Sequence, residues 1–349
     1  MRNCYKYRGG IGVFDKDGKS IFDRDVNTLA NNQIYLPTKS ELNDPTEGFC
    51  NDYKIISLIE AFKQFSGDVK KQYQELLEKF AQIGIYSLSN NVTNELLWAY
   101  YGGGHTGFAI EYDIDILKES LNYNEKFQAI FDFDVDYSRN VPIADLTILH
   151  SKDIIQTLKT FLGTKSLSWK HEEEHRLIIE GKGLFDIDYR AITGIYFGYR
   201  MQKEQIDHIM DAMKGRGLSY YKMELIDRTY KFAPLKIEDK YSNTAKYVAN
   251  CIDYDVDELL RNSCVSEEEI LLYRDKFIEA LESIKNEPYI KDFYIATMAS
   301  DSKEPLLKIF ANTAKGIPPV REFNFRLNDK GELYRIERYN RGDSGIVVI

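Results

Sequence analysis

Apolar positions along this chain recur with two periods. From residue 53 to 81, Ile55, Leu58, Ile59 and Phe62, then Leu76, Leu77 and Phe80, fall three or four apart and predict helix over 53–81. Short β-branched or aromatic runs bounded by turn residues predict strands at 4–7, 33–37, 83–88, 108–112, 127–137, 191–197 and 218–225. Between them, helices are expected at 27–31, 94–101, 151–161 (with Ser151 as its cap) and 202–213. The elements alternate irregularly. That predicts an α+β fold, a mixed or antiparallel sheet with flanking helices, rather than a regular βαβ array. From about residue 233 the pattern changes to two amphipathic helices, 244–261 and 266–286. Strand-like runs follow near 289–298, 321–327 and 332–339, with Asp329-Lys330-Gly331 as a hairpin turn. Two domains are therefore expected, 1–232 and a smaller α+β unit at 233–349.

Composition narrows the classes. At 349 residues and 43% hydrophobic, the chain can bury a core without a disulfide or a metal. A net charge of −9 argues against bulk electrostatic binding of nucleic acid or anionic membrane, though not against a local basic groove. Cys4, Cys50, Cys251 and Cys264 form no C-x-x-C pair and read as free thiols. No run has the length of a membrane span, and the start lacks the apolar stretch of a signal peptide, so a cytoplasmic location is expected.

Candidate chemistry concentrates in Trp169-Lys-His-Glu-Glu-Glu-His-Arg176. As H-E-x-x-H, His171, Glu172 and His175 would bind zinc, but only on a helix, where residues four apart share a face. The charged spacers Glu173 and Glu174 and the strand-like run after Arg176 argue against that helix, and no metal is expected. If the run is extended, Glu172, Glu174 and Arg176 share one face, with the carboxylates about 7 Å apart. Such a pair can orient a ribose hydroxyl or sit under a developing positive charge. The alternative is a solvated strand face.

Other constellations are weaker. Gly102-Gly103-Gly104-His105-Thr106-Gly107 follows a helix and precedes a strand, the reverse of a phosphate-binding loop. His105 is expected to be a loop histidine. Trp98, Tyr100 and Tyr101 either pack a core or wall a nicotinamide or adenine ring. Ser87 and Ser89 lack a histidine–acid partner in the sequence, which disfavours a serine hydrolase. Arg8 and Lys165 are either phosphate contacts or solvated cations.

Several pieces occur together in a familiar order: Lys6-Tyr7-Arg8, Leu42-Asn43-Asp44-Pro45-Thr46-Glu47, Ser87-Leu88-Ser89, Trp98 to Tyr101, His105-Thr106-Gly107-Phe108, Lys165, Trp169-x-x-Glu172-x-Glu174-x-Arg176 and Ile195-Tyr196-Phe197-Gly198. Over about residues 4–200 the chain resembles the bacterial domain of unknown function 2971 family. It departs at Tyr100, where that pattern has histidine. The order Arg8, Ser87-x-Ser89, Glu172-x-Glu174 is also similar to the arginine, serine-x-serine and E-x-E pattern of mono-ADP-ribosyltransferases.

This second resemblance implies an ADP-ribosyltransferase-like fold with NAD as substrate. Arg8 would contact the pyrophosphate or ribose, and Ser87 and Ser89 would brace the site. Glu174 would stabilise the oxocarbenium ion and Glu172 would orient the nucleophile, with Tyr101 and Lys165 as further cofactor contacts. The acceptor, protein or nucleic acid, is left open, and such chemistry fits toxin or defence biology. Two other classes stand beside it. One is a non-catalytic module binding a nucleotide or a partner. The other is a metal-dependent nuclease recruiting Asp44, Glu47, Glu172 and Glu174, which would need those carboxylates to converge.

Overall fold

The computed structural model describes residues 2–10, 12, 14–61, 67–121, 130–144, 153–261, 265–299, 305–313 and 320–336. The chain divides into two compact units, one running up to Lys246 and the other from Tyr247 onward.

The first unit is built on a sheet whose spatial order is β12-β11-β10-β4-β1-β3-β8-β5. Its strands are β1 (Asn3–Arg8), β3 (Ile83–Ser89), β4 (Phe108–Asp113), β5 (Ile130–Asp134), β8 (Glu174–Glu180), β10 (Ile192–Phe197), β11 (Ser219–Leu225) and β12 (Phe232–Ile237). All neighbours run antiparallel except β10 and β11. That parallel pair is connected through helix α7 (Lys203–Ala212), as a parallel connection requires. Two small ladders flank the sheet: β2 (Gln33–Leu36) with β9 (Gly183–Asp186), and β6 (Asp136–Ser138) with β7 (Thr164–Ser166). The expected α+β class with a mixed sheet is what forms.

Both sheet faces are covered. On one, α1 (Ile21–Ala30), capped by the Ser20 hydroxyl, places Phe22, Val26 and Leu29 against Ile110, Tyr112, Leu177 and Phe197. On the other, Tyr73 and Phe80 of α3 (Gly67–Ala81) and Phe161 of α6 (Ile154–Leu162) meet Ile85 and Ile178. Leu177, Ile178 and Ile179 thus bury on alternate faces, which is why β8 reads as an unbroken apolar run.

The second unit packs α8 (Val256–Arg261) and α9 (Glu267–Ile284) with an antiparallel sheet of β13 (Ile290–Met298), β14 (Leu306–Thr313), β15 (Val320–Leu327) and β16 (Leu333–Ile336). The hairpin at Asp329-Lys330-Gly331 forms as expected, with Gly331 at φ +75°.

Several local expectations change. Over 53–81 the described residues form two helices, α2 (Tyr53–Ala61) and α3; Phe62 lies outside the described residues. The Ser151 cap also lies outside them, and Asp153 caps α6 instead. Of 244–261 only α8 is helical. Upstream, the Asn250 amide bonds the Ile290 carbonyl at 2.5 Å, and the Asp255 carboxylate takes the N–H groups of Asp257 and Glu258. Such side chains offer the backbone partners that compete with a longer helix. Strands β12 and β14 were not expected.

Candidate active site

A cavity of about 600 Å³ opens where the sheet parts. Strand β1 pairs with β4 along its whole length, from Asn3–Asp113 to Arg8–Phe108, yet meets β3 only at Tyr5–Ser89. Beyond that pair the ladder stops, and the Lys6 ammonium donates to the Ser87 carbonyl at 2.8 Å. Residues Tyr5 to Gly9 and Ser87 to Ser89 line the opening. Close packing sets the end of β1: a Cβ on Gly107 would lie 2.1 Å from the Arg8 carbonyl.

All seven site residues expected from the sequence, Arg8, Ser87, Ser89, Tyr101, Lys165, Glu172 and Glu174, line this one cavity. The backbone carrying the two glutamates differs from expectation. Leu167–Glu172 is a 3₁₀ turn and Glu173 is left-handed (φ 45°), so β8 begins only at Glu174. Glu172 therefore reaches the site from a turn rather than along a strand face. The same geometry removes the helix that a zinc motif needs. His171 bonds the Ser168 carbonyl, whereas His175 is fully buried beside Asp132 and Asp134.

An alternating charge network forms the β8 lining. Arg176, 0% exposed, grips Glu47 through Nη1–Oε1 (2.6 Å) and Nη2–Oε2 (2.9 Å). It also grips Glu174 through Nε–Oε1 (2.8 Å) and Nη2–Oε2 (3.0 Å), and its Nη1 bonds the Leu162 carbonyl. Lys165 continues the chain, 3.3 Å from Glu174 Oε2 and 2.5 Å from Glu172 Oε2, with its Nζ 4.9 Å from the Trp169 ring centroid. Tyr101 donates its hydroxyl to Glu172 Oε1 at 2.7 Å. The Ser87 side chain also bonds Glu174, and the Tyr137 hydroxyl accepts the Glu174 N–H at 2.8 Å. Ser89 donates to the Glu172 carbonyl at 2.8 Å and pins the turn.

Burial raises the Glu174 carboxyl, but Arg176, Lys165 and Ser87 outweigh it and hold the group down at about 2. Burial opposes the charge on Lys165 and Arg176 as well. Their carboxylate partners reverse that and raise both. For Tyr101, burial and then Glu172 push the phenol up, so it stays a donor.

Lys6 and Arg8 differ. Among the described residues neither forms an ion pair with a carboxylate, although both line the cavity. Burial, and then the neighbouring Arg8 charge, depress the Lys6 ammonium to about 7; Glu174, Asp25 and Glu172 offset this only in part. Arg8 is bonded by the Tyr86 side chain, whose hydroxyl lies 3.1 Å from that of Tyr112. Asp25 lines the cavity but is paired with Arg24 at 2.9 Å.

Other expectations separate. Trp98 is core: fully buried, it donates to the Val92 carbonyl at 2.7 Å and packs on Tyr7. Tyr100, 63% exposed at the end of α4 (Glu95–Tyr100), and its C-cap Tyr101 line the cavity. His105 is a loop residue at φ 71°, its imidazole lowered by burial and by Arg200. Asp44 does not line the cavity; it takes the Thr46 N–H and hydroxyl at 2.9 and 2.7 Å within its turn. Sequence reasoning missed Lys6, whose i, i+2 placement with Arg8 was visible, and the partnership of Glu47 with Arg176 across 129 positions, which was not.

Residues 97–177 match the family model described as "Protein of unknown function (DUF2971)". This agrees with the resemblance carried by the Trp98–Tyr101 and Trp169–Arg176 motifs, the segment that supplies Tyr101, Lys165, Glu172 and Glu174. No curated protein and no solved structure matches the chain. No described helix is long and apolar enough to cross a membrane, and no described group of His, Cys, Asp and Glu side chains is arranged to hold a metal ion.

Proposed function

We propose that the first unit binds an NAD-class nucleotide in this cavity, its phosphates against Arg8 and Lys6 and a ribose against Glu172. One observation carries the reading. The cavity's other cations are neutralised by carboxylates, and Lys6 and Arg8 alone among the described lining cations are not. A phosphate supplies the missing charge, and Arg8 can hold it through two N–H groups. The volume suits a ligand of nucleotide size.

The same reading extends to cleavage of the bond between nicotinamide and ribose. A carboxylate under the ribose stabilises the oxocarbenium ion as nicotinamide leaves. Two carboxylate oxygens offer about four acceptor sites. Glu174 fills its sites with Arg176, Lys165 and Ser87, whereas among the described residues Glu172 is bonded by Tyr101 and Lys165 alone. Glu172 is therefore the carboxylate with capacity for a ribose hydroxyl, and Glu174 positions Lys165. A metal-dependent nuclease is less well supported. Arg176 already occupies Glu47 and Glu174, and Lys165 sits between the two E-x-E carboxylates.

Titration calorimetry with NAD, ADP-ribose and ATP tests binding, and chromatography of released nicotinamide tests cleavage. Arg8→Gln should weaken nucleotide binding at least tenfold, about 1.4 kcal/mol. Glu172→Gln should bind NAD and release no nicotinamide. Binding without release in the unmodified protein would leave a binding module. No binding at millimolar nucleotide would refute the whole reading.

A further inference from the structure

We propose that Lys6 is a carbonyl-reactive amine, and that the cavity takes a phosphorylated aldehyde or ketone with its phosphate on Arg8 and its carbonyl carbon at the Lys6 Nζ. The proposal shares Lys6 and the Arg8 anion seat with the nucleotide reading and needs no part of the NAD chemistry.

The argument starts from the contrast between two lysines in one cavity. Lys165 is held by Glu172 and Glu174, which keep it charged and its nitrogen occupied. Among the described residues Lys6 has one hydrogen-bond acceptor, the Ser87 carbonyl, and lies with its Nζ 4.9 Å from the Tyr86 ring centroid. The bond to Ser87 forms because β1 and β3 have parted there, so the ammonium takes over a carbonyl that the ladder leaves free. This fixes the nitrogen at the cavity wall.

The groups facing Lys6 are Arg8 from its own strand, Tyr86 from β3, Asp25 from α1, and Glu172 and Glu174 from the far lining. Desolvation and Arg8 prevail over the three carboxylates and bring the ammonium to about 7. A substantial share of the amine is then uncharged near neutrality. Desolvation beside a second cation is a known way to make lysine nucleophilic.

Arg8 supplies the second half of the site. Residues two apart on a strand point to the same face with their Cα atoms about 7 Å apart. One small molecule can span that distance with a phosphate at one end and a carbonyl at the other. In the reaction the amine lone pair attacks the carbonyl carbon to give a carbinolamine. Loss of its oxygen as water, which carries off two protons overall, leaves the imine, and water reverses the step. No oxidant or reductant is consumed.

The test treats the full chain with pyridoxal 5′-phosphate, reduces with borohydride and maps the modified peptide. Lys6 should be labelled at least tenfold faster than any other lysine, Lys165 included, with a rate that rises through a midpoint near 7. Arg8→Gln should slow that labelling tenfold, inorganic phosphate should compete with it, and the preference for pyridoxal phosphate over pyridoxal without the phosphate should be lost in Arg8→Gln. Lys6→Arg should remove the label and leave the labelling rates of the other lysines unchanged. Label spread over surface lysines, or Lys6 labelling indifferent to Arg8→Gln, would overturn the proposal. Selective labelling in a protein that binds no nucleotide would sink the nucleotide reading and leave this one standing.

Discussion

Lys6 and Arg8 on one side of β3, and Lys165 and Arg176 on the other, are chemically the same pair in opposite states. In the β8 lining, three carboxylates surround two cations, and every charge has a partner within 3.3 Å. In the β1 lining, the two cations have a backbone carbonyl and a phenol for company. The difference teaches that charged residues facing one cavity need not share a role. The saturated side is a scaffold, because a group whose bonding capacity is filled has little left for a ligand. The unsaturated side is where an incoming anion gains most.

Removing one member from each side gives the largest contrast. Arg176→Leu leaves Glu47 buried without its cation and Glu174 with Lys165 alone, and should cost roughly 3–5 kcal/mol in urea unfolding. Lys6→Met orphans no carboxylate and should change stability by no more than about 1 kcal/mol, or raise it. Equal losses would erase the distinction between the two sides.

The pH dependence should have the same sign on both sides but fall in separate windows. Glu174 is held near 2, below its ordinary 4.5. Its stabilisation is therefore complete above about 4.5 and is lost as pH falls towards 2, a few kcal/mol that Glu174→Gln should remove from the acid limb. Lys6 sits near 7, below its ordinary 10.5. Between those values the unfolded chain binds more protons, so stability should rise with pH across that window. Lys6→Met should flatten the alkaline limb and leave the acid limb intact. Chemical denaturation from pH 3 to 10 reads both.

The smallest effect sharpens the turn that delivers Glu172. Glu173 adopts φ 45°, a conformation glycine takes without penalty, and its carboxylate accepts from the Asn91 amide at 3.1 Å. Glu173→Gly should relieve the strain and lose that exposed bond, for a net change within about 1 kcal/mol. A larger loss would show that the side chain, rather than the backbone, holds the turn.

Much of this protein was legible in one dimension. The apolar run at Leu177-Ile178-Ile179, the helical period at 266–286 and the Asp329-Lys330-Gly331 hairpin are local signals, and each formed where its residues stood. The candidate site residues could be named because their order along the chain resembles a known motif pattern, with Glu172 and Glu174 two apart. Other features depended on distant partners. The 244–261 periodicity met Asn250 and Asp255, whose side chains cap and bond elsewhere. Glu173 turned left-handed and took Glu172 off the strand.

By itself, then, the sequence determined the α+β class, most of the strands and the residue types that gather at one cavity, because hydrophobic period and turn chemistry act over a few residues. Only the tertiary structure decided that β1 parts from β3 after Tyr5 and Ser89, and that Arg176 closes on Glu47 from 129 positions away. Those two facts set which charges are spent and which are free. A charge's state depends on its neighbours in space, and spacing along the chain does not specify them.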